Sequence, residues 1–286
     1  MPAGRSSSCA SADNTGVPTN RSAPAVVLAV FAVAAAGILA TTAAAKSAPT
    51  VRWELLEARP HDPSAWTQGL VAHGGVLIES TGNCCPAWSG RSSLRRVDPR
   101  TGGVLARRRI PNPIYTEGVT VLGGSIWQLT WTDGRVFRAS ASTLQGAGSV
   151  AYARDGWGLT RQGSQLVASD GSSRLYWLSV PSLRTTRTVT VRDAGGPVAS
   201  LNELEMLDGV IWANLWQQDR IALIDPGSGT VRGWLDMSSL RTRIGSGEVL
   251  NGIARDPETG HVIVTGKLWD RMFVIRLAEP VPPATR

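Results

Sequence analysis

The chain has 286 residues, of which 42% are hydrophobic, with 31 Gly, 17 Pro and a formal charge of +7. This length and apolar content suffice for one sizeable core, and the many turn-forming residues favour an all-β chain. Nearly all of the positive charge is Arg, scattered over the chain, with local clusters only at Arg95-Arg96 and at Arg107 to Arg109. Neither cluster has interleaved aromatics, so the composition argues against a nucleic-acid-binding surface.

The amino-terminal segment is strongly apolar. No charged residue lies between Arg21 and Lys46, and residues 26–45 are almost wholly hydrophobic and end in small residues. Such a stretch is long enough to span a bilayer, so it predicts an export signal or an uncleaved membrane anchor rather than a buried core helix. We assign residues 1–50 to this signal or anchor. The remainder is expected to be exported: secreted, periplasmic or tethered to a membrane.

Residues 52–58 (RWELLEA) predict a first strand, and five related segments follow it. Each segment has a polar or aromatic residue, an apolar run, a turn, a second apolar run and a terminal residue. Four of these frames span the same interval and the last is two residues longer, which indicates an internal repeat. The frames cover residues 68–82, 117–131, 157–171, 202–216 and 251–267.

Each frame predicts one β-hairpin, because its centre holds turn formers such as HGG, LGG and LDG between β-branched runs. A second strand–turn–strand segment follows each of the first four frames. Only MFVIRLAEP follows the fifth, so the strand at residues 52–58 is expected to complete the last unit. The period suits a four-stranded blade, and we predict a five-bladed β-propeller over residues 51–280 with a flexible tail at 281–286.

Three cysteines add little to the assignment. Cys9 lies in the removable region, and Cys84 and Cys85 follow the first frame. The adjacent pair forms a vicinal disulfide, bridges to another chain or stays reduced, and we favour a loop feature without function. No Cys or His spacing indicates a metal centre, so no metal or other cofactor is expected.

The frame ends carry chemically varied side chains. A fivefold repeat needs only one small or apolar residue type at each equivalent position. The first and last positions of the frames instead hold a carboxylate, amides, a lysine and tryptophans. Equivalent positions ring the propeller axis, so they are expected to converge on one mouth of the channel and form an aromatic-walled pocket. Capping of a turn explains any single one of these side chains, but the whole set of them favours a ligand-binding site. The frames begin with Gln68, Glu117, Trp157, Asn202 and Asn251, and end with Gly82, Trp131, Gly171, Trp216 and Lys267.

Glu117 is the best acid–base candidate, since burial among aromatic and amide side chains would raise its pKa toward neutrality. Lys267 is the only lysine after Lys46. With Asn202 and Gln68, it is expected to donate hydrogen bonds to an oxygen that gains negative charge. The three histidines lie far apart in the chain, so a His-based triad is not expected.

The motifs at these positions resemble the plant-type glutaminyl-peptide cyclotransferases that also occur in bacteria. The resemblance covers residues 61–277 and rests on many motifs in one order. They are WTQGL, ESTG, TEG, QLTW, GWGLT, SDGS, LNELE, WANLW, LNGIA and TGKLW. Trp66 and Tyr115 stand where the family usually has Phe, and the NCCPAWSG loop is unusual, which leaves preference beside the pocket open.

The resemblance implies a five-bladed propeller that converts an amino-terminal glutamine into pyroglutamate and releases ammonia without a catalytic metal. It implies peptide or protein substrates, and we expect a monomer. Glu117 matches the family's acid–base glutamate, and Gln68, Asn202 and Lys267 match its other polar site residues. Trp131, Trp157 and Trp216 match its site tryptophans.

Two alternatives remain open at this point. One is a non-catalytic propeller that holds peptide amino termini in the same pocket. The other is a metal-dependent propeller hydrolase that uses Glu79, Asp170, Asn202 and Asn251, although Glu79 and Asp170 occupy different frame positions.

Overall fold

The computed structural model describes residues 46–82 and 92–283. No helix within those ranges is long and apolar enough to cross a membrane. The apolar segment at 26–45 and the three cysteines lie outside the described residues. The strands in chain order are β1 (Trp53–Pro60), β2 (Thr67–His73), β3 (Val76–Thr81), β4 (Ser93–Val97), β5 (Val104–Arg109), β6 (Thr116–Leu122), β7 (Ser125–Thr130), β8 (Arg135–Ser140), β9 (Gly146–Ala151), β10 (Leu159–Gln162), β11 (Gln165–Ser169), β12 (Arg174–Leu178), β13 (Thr185–Thr190), β14 (Arg192–Asp193), β15 (Gly196–Pro197), β16 (Leu201–Leu207), β17 (Val210–Leu215), β18 (Arg220–Ile224), β19 (Val231–Asp236), β20 (Leu250–Arg255), β21 (Val262–Gly266) and β22 (Arg271–Leu277).

Five four-stranded antiparallel sheets form the blades of a propeller, as the repeat predicted. Blades one to four are β2–β5, β6–β9, β10–β13 and β16–β19, and blade five is β20–β22 with β1. The first strand of each repeat is the innermost strand. These inner strands contact one another in the cyclic order β2, β6, β10, β16, β20 and back to β2, which closes the ring. A two-stranded β14–β15 hairpin and a short 3-10 helix (Ser238–Arg243) are additions that the repeat did not predict.

The amino-terminal strand completes blade five. β1 pairs antiparallel with β22, from Trp53 opposite Leu277 to Pro60 opposite Arg271. The strand predicted at residues 52–58 is therefore confirmed, and it continues to Pro60. Before it joins blade five, the chain runs along blade four, where the Val51 amide donates to the Trp234 carbonyl at 2.8 Å. Blades four and five thus both hold residues 51–60.

Apolar side chains between neighbouring blades form the core. Four tryptophans that lie inside apolar runs of the sequence are all buried there, namely Trp127, Trp177, Trp212 and Trp234. Part of the Arg excess serves the same packing, since the guanidinium carbon of Arg187 lies 3.7 Å from the ring centroid of Trp177. Such stacking combines a cation–π attraction with burial of the apolar stem.

Glycines allow the starts of the inner strands to approach closely around the axis. A Cβ atom on Gly158 would lie 1.9 Å from the backbone oxygen of Asn202, and one on Gly118 would lie 2.5 Å from the backbone nitrogen of Leu159. Only a residue without a side chain fits such contacts. The glycines therefore bring the neighbouring residues Glu117, Trp157 and Asn202 together at one mouth of the channel.

Gly158→Ala is expected to destabilise the protein by about 1–3 kcal/mol or more, because the new methyl group must displace the backbone of blade four. Urea unfolding of the variant and the parent protein measures the effect. Gly195→Ala is the matched control, since a Cβ atom there meets nothing within 4 Å. Equal unfolding midpoints for the two variants would contradict the close contact.

Candidate active site

The hairpin registers place both ends of each frame at one mouth of the channel. Thr116 pairs with Thr130, Leu201 with Leu215 and Leu250 with Gly266. The second residue of each inner strand and the first residue after its partner strand are both next to such a pair. These two residues therefore lie close together. By this rule, six of the seven predicted site residues lie at the strand ends, and Trp157 lies two residues before β10. They are Gln68, Glu117, Trp131, Trp157, Asn202, Trp216 and Lys267.

Glu117 is the second residue of β6, and its side chain is buried, with 7% of its surface exposed. Its Oε1 atom accepts a hydrogen bond from Nε2 of Gln68 at 2.9 Å. Burial raises the pKa of the Glu117 carboxyl to about 8, against the opposing effect of the Lys267 ammonium. A carboxyl group with this pKa exchanges protons readily near neutral pH, which suits a general base.

Lys267 directly follows β21 and is 5% exposed. Two backbone hydrogen bonds to the preceding loop hold it, one from its amide to Val249 and one from Glu248 to its carbonyl. Its Nζ atom lies 5.4 Å from the ring centroid of Trp66, and its charge acts on the carboxyl of Glu117. The ammonium and the carboxylate therefore share one mouth of the channel, as the frame alignment predicted.

A chain of hydrogen bonds orients the Glu117 carboxylate. Nε2 of Gln68 donates to Glu117 and, at 2.8 Å, to the hydroxyl of Tyr115. Nδ2 of Asn251 donates to the Thr67 carbonyl at 3.0 Å and approaches Oε1 of Gln68 at 3.4 Å. Residues of blades two and five thus fix the rotamer of Gln68 in blade one, and Gln68 in turn orients the Glu117 carboxylate.

Tyr115 and Trp66, which depart from the family pattern, also belong to the site, although the frame positions do not predict them. Tyr115 contacts Gln68 through its hydroxyl, and its ring meets Trp131 at 5.8 Å between centroids. Each residue lies just before an inner strand, two residues before a frame start. That adjacency is the signal that could have found them.

Aromatic side chains form the wall of the mouth. The Trp157 and Trp216 rings meet edge to face at 5.6 Å and 88°. Trp131 is 45% exposed and Trp216 is 42% exposed, which is unusual for such large apolar side chains. Partly exposed indoles at the rim of a polar site offer a surface for the aliphatic part of a ligand.

The two glycines among the frame ends make room for this wall. A Cβ atom on Gly171 would lie 2.7 Å from the Trp157 ring, and one on Gly82 would lie 2.6 Å from the Tyr115 ring. The small frame-end residues of blades one and three therefore leave space for the aromatic rings of the wall.

Asn202 is buried, and among the described residues its Oδ1 atom has no hydrogen-bond partner. Its backbone oxygen accepts from the Ser169 hydroxyl at 2.8 Å, which fixes the position of the main chain. A buried amide with an unused oxygen is costly unless a ligand engages it. This oxygen is thus available to accept a hydrogen bond from a bound substrate.

Glu79 and Asp170, the extra ligands of the metal-dependent alternative, have other partners. Burial would raise the pKa of Glu79, but Arg95 and His61 hold it well below its usual range. Asp170 accepts from the Tyr176 hydroxyl at 2.8 Å and from Ser172. Within residues 46–82 and 92–283, no group of three or more His, Cys, Asp or Glu could hold a metal.

Comparison with known proteins agrees with this architecture. The sequence pattern of the glutamine cyclotransferase family matches residues 27–277. The chain is 40% identical to the glutaminyl-peptide cyclotransferase of Arabidopsis thaliana over 233 residues, which is 79% of this chain and 71% of the relative. The crystal structure of Myxococcus xanthus glutaminyl cyclase superimposes with a TM-score of 0.73 at 36% identity, covering 80% of this chain and 98% of that one. The chain therefore belongs to the glutamine cyclotransferase family.

Proposed function

We propose that the protein is a glutaminyl-peptide cyclotransferase, which converts the amino-terminal glutamine of a peptide into pyroglutamate and releases ammonia. The observation that carries this proposal is the buried Glu117 carboxyl beside the Lys267 ammonium, at a channel mouth walled by partly exposed tryptophans. The 40% identity to an Arabidopsis enzyme of that name supports the same reaction.

The substrate glutamine enters the mouth with its aliphatic stem against Trp131, Trp157 and Trp216. Confinement by these walls folds the residue so that its α-amine faces its own γ-carbonyl carbon. Proximity of this kind is the largest contribution available to an intramolecular attack. The reaction forms one bond, from the amine nitrogen to the γ-carbon, and breaks the bond from that carbon to the amide nitrogen.

Glu117 moves the proton between these two nitrogens. Its carboxylate accepts a proton from the attacking amine and donates it to the departing amide nitrogen, which leaves as ammonia. Such acid–base assistance contributes typically 10²–10⁴-fold. Because the proton is returned within one cycle, Glu117 ends in its starting state and no co-reactant is consumed.

The ammonium of Lys267 and the amide nitrogen of Asn202 donate to the γ-oxygen and stabilise the negative charge that develops on it. The sequence also predicts this role for Gln68. Its Nε2 group already donates to Glu117 and Tyr115, so we assign Gln68 to orienting the base instead. The chemistry requires no metal or other cofactor, since every proton and charge is handled by these side chains.

The partners and location follow from the reaction and the sequence. The substrates are peptides or proteins that begin with glutamine, and no nucleic acid takes part. The apolar segment at 26–45 directs the protein out of the cytoplasm or tethers it to a membrane, and the propeller acts as a monomer.

The activity is tested by incubating the purified protein with a short glutamine-initiated peptide and measuring the loss of one ammonia by mass spectrometry. The same peptide beginning with asparagine is the control, since its shorter side chain would have to close a strained four-membered ring. Binding of the glutamine peptide without turnover would overturn the proposal and favour the non-catalytic alternative.

The rate is expected to rise with pH up to about pH 8. The carboxyl of Glu117 acts as a base only when it is deprotonated, and its pKa of about 8 sets that limit. The substrate amine must also be neutral, and its ordinary pKa is about 7.7–8.0. Two protons are therefore lost before reaction, so log(kcat/KM) against pH approaches a slope of about two well below pH 8. A slope near one would contradict the role of Glu117.

A further inference from the structure

The turn that carries Lys267 is strained and closely packed. It joins β21 to β22, and Leu268 within it has a φ of 60°, a left-handed conformation that leucine rarely adopts. The Leu268 amide donates to the Ala65 carbonyl at 2.7 Å, and a Cβ atom on Gly266 would overlap the Trp269 ring. A strained conformation of this kind persists only where surrounding contacts hold it. The position of Lys267 therefore depends on the residues that hold the turn.

His61 holds this turn from the loop between β1 and β2. Its backbone amide donates to the Asp270 carbonyl at 2.9 Å, and Nδ1 of its ring lies 2.8 Å from the Trp269 carbonyl oxygen. The His61 side chain is buried. Because a carbonyl oxygen only accepts hydrogen bonds, Nδ1 is the donor in this contact. One histidine thus binds two consecutive carbonyl groups of the turn after Lys267.

Glu79 fixes the other side of the His61 ring. Its Oε1 atom lies 3.2 Å from Nε2 of His61 and accepts from the Thr67 hydroxyl at 2.7 Å. Arg95 donates through Nε to the other carboxylate oxygen at 3.1 Å and also pairs with Asp62. Burial would raise the pKa of Glu79, but the charge of Arg95 holds it well below its usual range, so this carboxylate can only accept. Both ring nitrogens of His61 therefore donate, which leaves the ring one orientation.

The turn transmits this anchoring to the ammonium through its backbone. The Lys267 amide donates to the Val249 carbonyl at 2.9 Å, and the Lys267 carbonyl accepts from the Glu248 amide at 2.8 Å. Nε1 of the fully buried Trp269 donates to the Glu248 carbonyl at 3.1 Å. A shift of Trp269 would therefore move the backbone of Lys267, whose charge acts on Glu117.

We propose that His61 is a positioning residue for the reaction, which anchors the Trp269 carbonyl and thereby sets the place of the Lys267 ammonium. Glu79 in turn orients the His61 ring. The inference rests on the proposed cyclotransferase function, and His61 acts through the turn rather than on the substrate. His61 and Trp269 are 208 residues apart in the chain, so the closure of the ring brings them together.

Two amide variants separate the two ring contacts of His61. The side-chain nitrogen of asparagine can take the place of Nδ1, whereas that of glutamine can take the place of Nε2. His61→Gln should therefore keep the donor to Glu79 and lose the donor to Trp269, and kcat/KM should fall by about 10–10²-fold. His61→Asn should keep the donor to Trp269 and most of the parent rate. Turnover of a glutamine-initiated peptide and urea unfolding are measured for both variants.

The pH–rate profile and a double variant distinguish positioning from a general loss of stability. Because the ammonium lowers the pKa of Glu117, its displacement in His61→Gln should move the rise of the profile to higher pH. His61→Gln added to Lys267→Met should cost little further activity, since the group that it positions is gone. Asp256→Asn is the control. It breaks a buried pair with Arg59 in the same blade, at 3.0 Å, so it should lower stability and leave the profile in place.

Amide hydrogen exchange measures the anchoring without turnover. The Leu268 and Trp269 amides should exchange faster in His61→Gln than in His61→Asn. Equal exchange in these two variants, or equal rates with an unmoved pH profile, would overturn the proposal. Full additivity of His61→Gln and Lys267→Met would overturn it as well. A parent protein that releases no ammonia would instead overturn the proposed reaction, and the exchange rates would still decide whether His61 holds the turn.

Discussion

Glu117→Gln is expected to lower the rate of ammonia release by at least about 10²–10⁴-fold while the fold stays intact. Glutamine has the shape of glutamate and can still meet Nε2 of Gln68 through its carbonyl oxygen, but it cannot accept the proton of the attacking amine. Single-turnover assays with a glutamine-initiated peptide measure the loss, and circular dichroism confirms the fold.

The same variant should be more stable than the parent protein at pH 8 and above. The pKa of Glu117 is raised in the folded state to about 8 from an ordinary value of 4.5. A raised pKa contributes stability that is fully present below the unfolded value and is lost as pH rises through the folded value. The neutral glutamine carries no such loss. The gain in Tm over the parent should therefore grow from about pH 4.5 to pH 8.

Glu205→Gln is the matched control for both measurements. Burial also raises the pKa of Glu205 to about 8, but this residue lies at the other end of the channel. It should therefore gain stability with pH in the same way and keep its turnover. If Glu117→Gln retained turnover, or if Glu205→Gln lost it, the assignment of the base would be wrong.

Lys267→Met is expected to lower kcat/KM by about 10²–10³-fold, the usual cost of removing one donor to a developing oxyanion. Methionine keeps the apolar length of the side chain near Trp66 but removes the charge. Because the ammonium lowers the pKa of Glu117, its loss should also move the rise of the pH–rate profile to higher pH. Both effects are read from kcat/KM between pH 5 and 10.

Lys267→Arg separates charge from shape at the same position. Arginine keeps the positive charge, so the pH–rate profile should stay in place. Its planar guanidinium is larger, and the site is only 5% exposed, so the rate should still fall. A parent-like rate in Lys267→Arg would mean that a point charge is not required. An unshifted profile in Lys267→Met would remove Lys267 from the vicinity of the base.

The sequence predicted most of the blade architecture because the repeat is regular. Frame intervals matched hairpins, and the missing fourth strand of blade five implied that β1 closes the ring. Convergence of Glu117 and Lys267 followed from the same alignment, since equivalent positions in a closed ring must share one mouth. Assignment of individual catalytic roles remains a prediction that the variants above test.

Other features depended on contacts that a repeat alignment does not contain. Tyr115 joins the site because its ring rests on Gly82 and its hydroxyl reaches Gln68, and neither contact has a periodic signature. Glu203 stands where the other four blades have glycine after the frame start, but its contact with blade one is visible only in the structure, where its Oε1 atom accepts from the Leu70 amide at 3.3 Å. The β14–β15 hairpin interrupts the period between blades three and four and was absent from the prediction.

Blade five, which carries Lys267, takes its outer strand from the beginning of the chain and its other strands from the end. Strand β1 therefore cannot pair until β22 has been synthesised, and only then is that sheet complete. Lys267, the ammonium partner of Glu117, therefore belongs to the sheet that is completed last. A polypeptide that lacks β1 or β22 should consequently be inert toward glutamine, and activity should appear in a single step when β1 pairs with β22.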